Sequence, residues 1–181
     1  MIVAHATIFA TNDRCYNADM SKVALKRRLV VERIATHLLT EGLNKTGLRL
    51  LAQVAGTSDR MLIYYFGSKE ALLDEVLGEI AEGVTVQLDA LLGTQPRPDG
   101  ELLAQLTSLT ANEAFRPAVQ LWFELVGLAA RGQEPYLSNA QTLASNWIAW
   151  IASRLDNPAE QDAADLYAHL EGRLMLTMVC G

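Results

Sequence analysis

The stretch Ala55–Leu73, AGTSDRMLIYYFGSKEALL, gathers most of the chain's candidate chemistry. Arg60 offers a guanidinium that can lie against a guanine edge or a phosphate. Tyr64 offers a hydroxyl for a phosphate or a ring to lie on the sugar wall. Lys69 stands where a helix begins, so its ammonium and the free N–H groups of that terminus can hold phosphate together. The chemistry on offer is recognition of a polyanion rather than catalysis. His5, His37 and His169 show no metal-ligand spacing with Cys or carboxylates, and there is no Gly-rich phosphate loop or nucleophile elbow. Taken singly, each residue also has an ordinary reading. Tyr64 can be a plain surface tyrosine, Arg60 can pair with Asp59, and Lys69 and Glu70 can be surface charges. Their joint placement is what favours recognition.

That placement requires particular elements. Ser58 is a good N-cap for a short helix ending near Phe66. On a helix of 3.6 residues per turn starting there, Asp59, Arg60, Ile63 and Tyr64 face outward, while Leu62 and Tyr65 face inward with Phe66 in the core. The preceding segment, Leu48 to Ala55, puts Leu48, Leu51, Ala52 and Ala55 on one face. Small Ala52 and Ala55 allow close approach, and Gly56 supplies the turn. Two short helices joined by Gly56-Thr57-Ser58 make a helix-turn-helix. Its second helix has the width the DNA major groove admits.

The rest of the chain reads as helices. Leu29/Val30, Ile34, Leu38 and Leu39 stripe a first helix from Ser21, with Gly42 as its stop. Ser68 caps a long helix to about Leu92, and GTQPRPDG (93–100) is a linker. Helices follow over Glu101–Ala114, from Arg116-Pro117 onward, from a loop at 132–139 to Asn157-Pro158, and from Ala159 to about Val179. The helix after Pro117 is apolar most of the way round, with Gln120, Glu124 and Arg131 as a polar strip, so a central position is predicted. No strand pattern is evident. The fold class is all-α: an arm over 1–20, a helix-turn-helix domain over 21–67 and a helical bundle over 68–181.

Charge divides in the same way. Residues 1–70 carry ten Lys/Arg and six Asp/Glu, a net of +4, whereas residues 71–181 carry five Arg and fifteen Asp/Glu, a net of −10. A basic end that meets a polyanion and an acidic body that does not would produce this split. Two distant cysteines, Cys15 and Cys180, make a disulfide framework unlikely, and a reducing, cytoplasmic setting is the default. No run is long and apolar enough to suggest a membrane span, and MIVAHATIFA lacks the basic start and cleavage site of a signal peptide.

The segment resembles the DNA-binding domain of TetR-family transcriptional regulators. Gly42, Thr46, Leu48-Arg49, Leu51-Ala52, Ala55-Gly56, Ser58, Leu62, Tyr64-Tyr65-Phe66, Ser68-Lys69-Glu70 and Leu72-Leu73 stand where that family's pattern has them. The likeness covers roughly residues 29–77. It implies a homodimer that binds a palindromic operator on double-stranded DNA, usually as a repressor, and releases it when a small molecule enters the C-terminal domain. It also implies Thr46 and Arg49 as phosphate or base contacts, beside Ser58, Arg60, Tyr64 and Lys69. Three positions depart from the pattern: Ile63 replaces an aromatic, Asp59 puts a carboxylate at the front of the reading helix, and Thr57 replaces an aliphatic residue.

Resemblance fades after Leu77. A bundle of this size can hold a mostly apolar pocket, for which Trp122, Tyr136, Trp147 and Trp150 are candidate lining residues, although tryptophans at helical spacing more often belong to core or subunit interface. The run Leu174–Val179 is too apolar to face water on every side, which suits burial or a dimer made as a four-helix bundle. No cofactor or metal is implied. The chain reads as a ligand-responsive DNA-binding regulator. The alternative is an interaction module of the same fold without specific DNA binding, favoured by Asp59 and Ile63. A small helical enzyme is the least supported reading.

Overall fold

The structure, a computed structural model, describes residues 22–156 and 162–180. The arm expected over 1–20 lies outside them, and so does Asn157-Pro158, although the helix expected to run that far already ends at Ala152 and leaves Leu155 outside it. Among the described residues there are eight α-helices and no strand. In chain order they are α1 (Lys22–Glu41), α2 (Leu48–Ala55), α3 (Asp59–Phe66), α4 (Lys69–Leu92), α5 (Asp99–Thr110), α6 (Arg116–Ala129), α7 (Tyr136–Ala152) and α8 (Asp162–Cys180). A 3-10 turn, Leu43–Lys45, links α1 to α2.

Local chemistry sets the boundaries. The Ser58 hydroxyl accepts a hydrogen bond from Met61 N at 3.3 Å, and Ser68 accepts from Ala71 N at 3.0 Å, so both expected caps start their helices. Gly56 ends α2 in the left-handed region at φ 68°, and Thr57 N donates back to Ala52 O at 2.9 Å. A Cβ at Gly56 would lie 2.7 Å from Arg33 Nη1, which itself donates to Ala55 O at 2.7 Å. Glycine is thus required there both by the turn and by the arginine that ties it to α1.

Two further boundaries differ from the sequence expectation. Helix α7 begins at Tyr136, three residues before the expected loop end at Asn139. The polar residues that looked like loop serve its first turn: Ser138 Oγ donates to Pro135 O at 2.9 Å and Asn139 Nδ2 donates to the same oxygen at 3.0 Å. Helix α5 stops at Thr110 because Asn112 builds a turn, its Oδ1 accepting from Ala114 N at 3.0 Å and its carbonyl from Phe115 N at 3.0 Å.

Two apolar clusters share α4. The first joins Val30, Ile34 and Leu38 of α1, Leu51 of α2, Leu62 and Phe66 of α3, and Leu72 to Ile80 of α4 with Leu121 and Leu125 of α6. The second joins Val84 and Leu88 of α4 with Leu102 and Leu106 of α5, Phe115, Ile151 of α7, and Leu166 to Leu174 of α8. Each fully buried leucine here is worth roughly 1.5–3 kcal/mol of transfer free energy. The helix-turn-helix therefore packs directly on the body through the first half of α4. Helix α6 lies between the clusters, as its nearly all-round apolar surface predicts. Its Glu124 is half-buried, and Oε2 accepts a hydrogen bond from Leu43 N at 2.7 Å.

Candidate functional site

Helix α3 presents the outward face its sequence predicts. Asp59, Arg60, Ile63 and Tyr64 are all exposed, Tyr64 most of all, while Leu62 and Phe66 are buried and Tyr65 is half-buried against the core. Edge-to-face contacts brace the aromatic run, with 5.5 Å between the Tyr64 and Tyr65 centroids and 6.4 Å between Tyr65 and Phe66. Arg27 lies 4.9 Å from the Phe66 ring and pairs with Glu75, which fixes the far side of the helix. The three aromatics thus divide: two anchor the helix, and Tyr64 is left for a partner.

Charge around this face is open. Arg49 lies exposed in the first turn of α2, and neither it nor Arg60 makes an ion pair or side-chain hydrogen bond among the described residues. By contrast Arg27, Arg33, Arg97 and Arg154 are all engaged within the fold. Lys69 starts α4, half-buried, and its charge helps hold the neighbouring Glu70 carboxyl below the usual carboxylate range, behind hydrogen bonds from the Glu70 backbone and Ser68. Ser58 stands at the N-terminal end of α3, with its hydroxyl committed to the cap.

Thr46 requires a correction. Expected as a phosphate or base contact, its side chain is buried: Oγ1 donates to Leu43 O at 3.1 Å and lies 3.2 Å from the Tyr136 hydroxyl. A hydroxyl in that position joins the DNA-reading domain to α7. The family resemblance implied the residue as a contact at a helix start but carried no signal of the tyrosine 90 positions away.

A second site lies in the body. A cavity of about 90 Å³ opens among α4, α6, α7 and α8, lined chiefly by apolar side chains such as Leu77, Val84 and Leu125. Trp122 and Trp147 line it. Tyr136 and Trp150 do not: Tyr136 is held at Thr46, and Trp150 packs in the second cluster, where the Arg154 guanidinium lies 4.2 Å from its ring. The sequence missed Glu171, Tyr167 and Phe115, which also line the cavity. Only the burial of a carboxylate on an apolar helix face could have singled out Glu171.

Glu171 is the polar feature of this cavity. Burial pushes its carboxyl above the usual carboxylate range, and hydrogen bonds from Trp122 Nε1, at 2.8 Å, and the Tyr167 hydroxyl act against that rise. Burial, reinforced by the Glu171 charge, raises the Tyr167 phenol as well. The folded chain therefore binds the Glu171 proton more tightly than the unfolded chain. Stability contributed by the neutral acid is fully present below about 4.5, the ordinary value, and is lost as pH rises through the raised one. Replacing Glu171 with Gln keeps an acceptor for Trp122 and removes the charge. The variant is expected to melt roughly 2–4 °C higher than the parent near pH 8, the shift of about 1 kcal/mol in a chain of this size, and no higher near pH 4. Thermal scans at the two pH values check this.

An all-α chain whose helix-turn-helix exposes Arg49 on its first helix and Arg60 and Tyr64 on its second is built as a DNA-binding transcriptional regulator. Residues 33–76 match the family described as bacterial regulatory proteins, tetR family. Among solved structures, a protein from Mesorhizobium loti MAFF303099, provisionally assigned as a TetR-family transcriptional regulator, is 18% identical with a TM-score of 0.42 over 89% of this chain and 98% of its own. A comparison with curated proteins finds no match. No helix among the described residues is long and apolar enough to cross a membrane.

Proposed function

We propose that two copies of this chain bind a palindromic operator, act as a repressor, and let go of DNA when a small, largely apolar molecule enters the body cavity. The observation that carries the DNA reading is the outward face of α3 and the first turn of α2, where Tyr64 stands exposed and Arg49 and Arg60 stand exposed without an ion pair or side-chain hydrogen bond among the described residues. A dimer would present two such faces about one helical turn of duplex apart. Its interface has a natural surface in α8, where Met175, Leu176 and Val179 are exposed in the single chain, Val179 to 79%. Such a stripe is costly to leave in water and suits a symmetric helix-to-helix contact.

Release by a ligand is supported by the way the body grips the reading domain. Glu124 of α6 holds Leu43 N, Tyr136 of α7 meets Thr46, and Asn139 of α7 bonds Asp74 of α4. Helices α4, α6 and α7 also line the cavity. A ligand that moves any of them pulls on the frame that spaces the two α3 helices.

The test is a titration of labelled duplexes from the DNA beside the gene, at several salt concentrations. Binding should be saturable on one palindromic fragment. Alanine at Arg49 or at Lys69 is expected to reduce the slope of log affinity against log salt by up to about two each, with little change in which fragment is preferred, because each removes at most one phosphate contact from each of the two copies. A second reading has one observation in its favour. Asp59 and Ile63 share the exposed face with Arg60, and a carboxylate and an aliphatic side chain suit a protein surface better than a phosphate row. It predicts equal, weak binding to every duplex.

A further inference from the structure

We propose that the effector is an apolar organic cation, its charge set against the Glu171 carboxylate and its body enclosed by the aromatic and aliphatic walls of the cavity. The inference rests on the reading of that cavity as the effector site and adds the chemistry it selects. The walls are almost wholly carbon, and Glu171 is the single carboxylate among them. Both of its side-chain partners, Trp122 Nε1 and the Tyr167 hydroxyl, donate to it, so it stands as an acceptor. Among the described residues no salt bridge reaches it. Its hydrogen-bond partners are Tyr167 of its own helix and Trp122 of α6.

An acceptor pair left without a counter-charge in an apolar chamber is a costly arrangement unless a guest completes it. A cation does so most fully. Trp122, Trp147, Tyr167 and Phe115 line the same space, and aromatic rings favour a positive centre further where it meets a ring face. An anionic guest would meet Glu171 as a like charge, and a neutral hydrocarbon would leave it unpaired.

The test uses two probes of one shape, benzyltrimethylammonium and neopentylbenzene, which differ only by a quaternary nitrogen in place of a carbon. The quaternary charge does not titrate, so any pH dependence belongs to the protein. Binding to the full chain is read by calorimetry and by the fluorescence of the cavity tryptophans. Near pH 8 the cation is expected to bind roughly tenfold or more tighter than the hydrocarbon. Glu171→Gln should remove that preference by weakening the cation alone, and lowering the pH of the parent through the carboxyl's titration should do the same without any substitution. Equal binding of both probes to the parent, or equal loss of both in Glu171→Gln, would overturn the inference while leaving a ligand cavity in place. Failure of both probes to bind the folded parent would overturn the cavity reading along with it.

Discussion

Replacing Arg60 with alanine is expected to weaken operator binding by roughly five- to a hundredfold, the worth of one good base contact at 1–3 kcal/mol, and to leave the melting temperature unchanged. The reasoning is local. Arg60 lies on the second residue of α3, exposed and without an ion pair, so its removal costs the fold nothing that the structure shows. Helix α3 is held by its other side, through Leu62 and Phe66, and the Ser58 cap is untouched. A phosphate contact and a base contact separate cleanly in Arg60→Lys. Lysine keeps the charge but not the planar fork, so it restores a phosphate contact and fails at a guanine edge. Anisotropy titrations of parent and both variants on matched and mismatched duplexes, with thermal scans alongside, give the answer. An Arg60→Ala protein that binds the operator as tightly as the parent would remove α3 as the reading helix.

The second large effect is expected at the seam between the reading domain and the body. Gly42 holds φ at 74°, and a Cβ there would stand 2.5 Å from the Glu124 carboxylate oxygens. In Gly42→Ala the carboxylate must swing away and release Leu43 N, which it now accepts from at 2.7 Å. Strain at φ 74°, ψ −171°, a region essentially restricted to glycine, of about 1–3 kcal/mol adds to the loss of a charge-assisted bond of about 1.5–3 kcal/mol. The melting temperature should fall by several degrees, at roughly 2–4 °C per kcal/mol for a chain of this length. Glu124→Ala alone should lose only the bond. Adding Gly42→Ala to Glu124→Ala should then cost the strain and nothing more, so the two changes together destabilise by less than their sum. Denaturant melts of the four proteins measure that coupling. Strict additivity would mean that Glu124 does not grip the 3-10 turn.

These two sites show what can and cannot be read from a linear chain. The outward set of α3 follows from periodicity and a capping serine, because both act within one helix. Leu51, Leu62 and Phe66 were legible as core for the same reason. The seam was not. Glu124 looked like part of a solvated polar strip, and Thr46 looked like a helix-start contact, because neither reading contains the partner brought by tertiary packing, Leu43 in one case and Tyr136 in the other. The cavity follows the same rule. Composition promised tryptophans in a helical bundle, and two of the three line the chamber. Which two, and the presence of Glu171 among them, depend on how α6, α7 and α8 rotate against one another.

The account's central claim is tested most directly by titrating the folded chain against duplexes tiled across the DNA beside its gene, with a random duplex as reference. It predicts saturable, salt-sensitive binding of two chains to one palindromic fragment, tighter than to the random duplex by about a thousandfold or more. Equal and weak affinity for every duplex, from protein shown to be folded and dimeric, would contradict it.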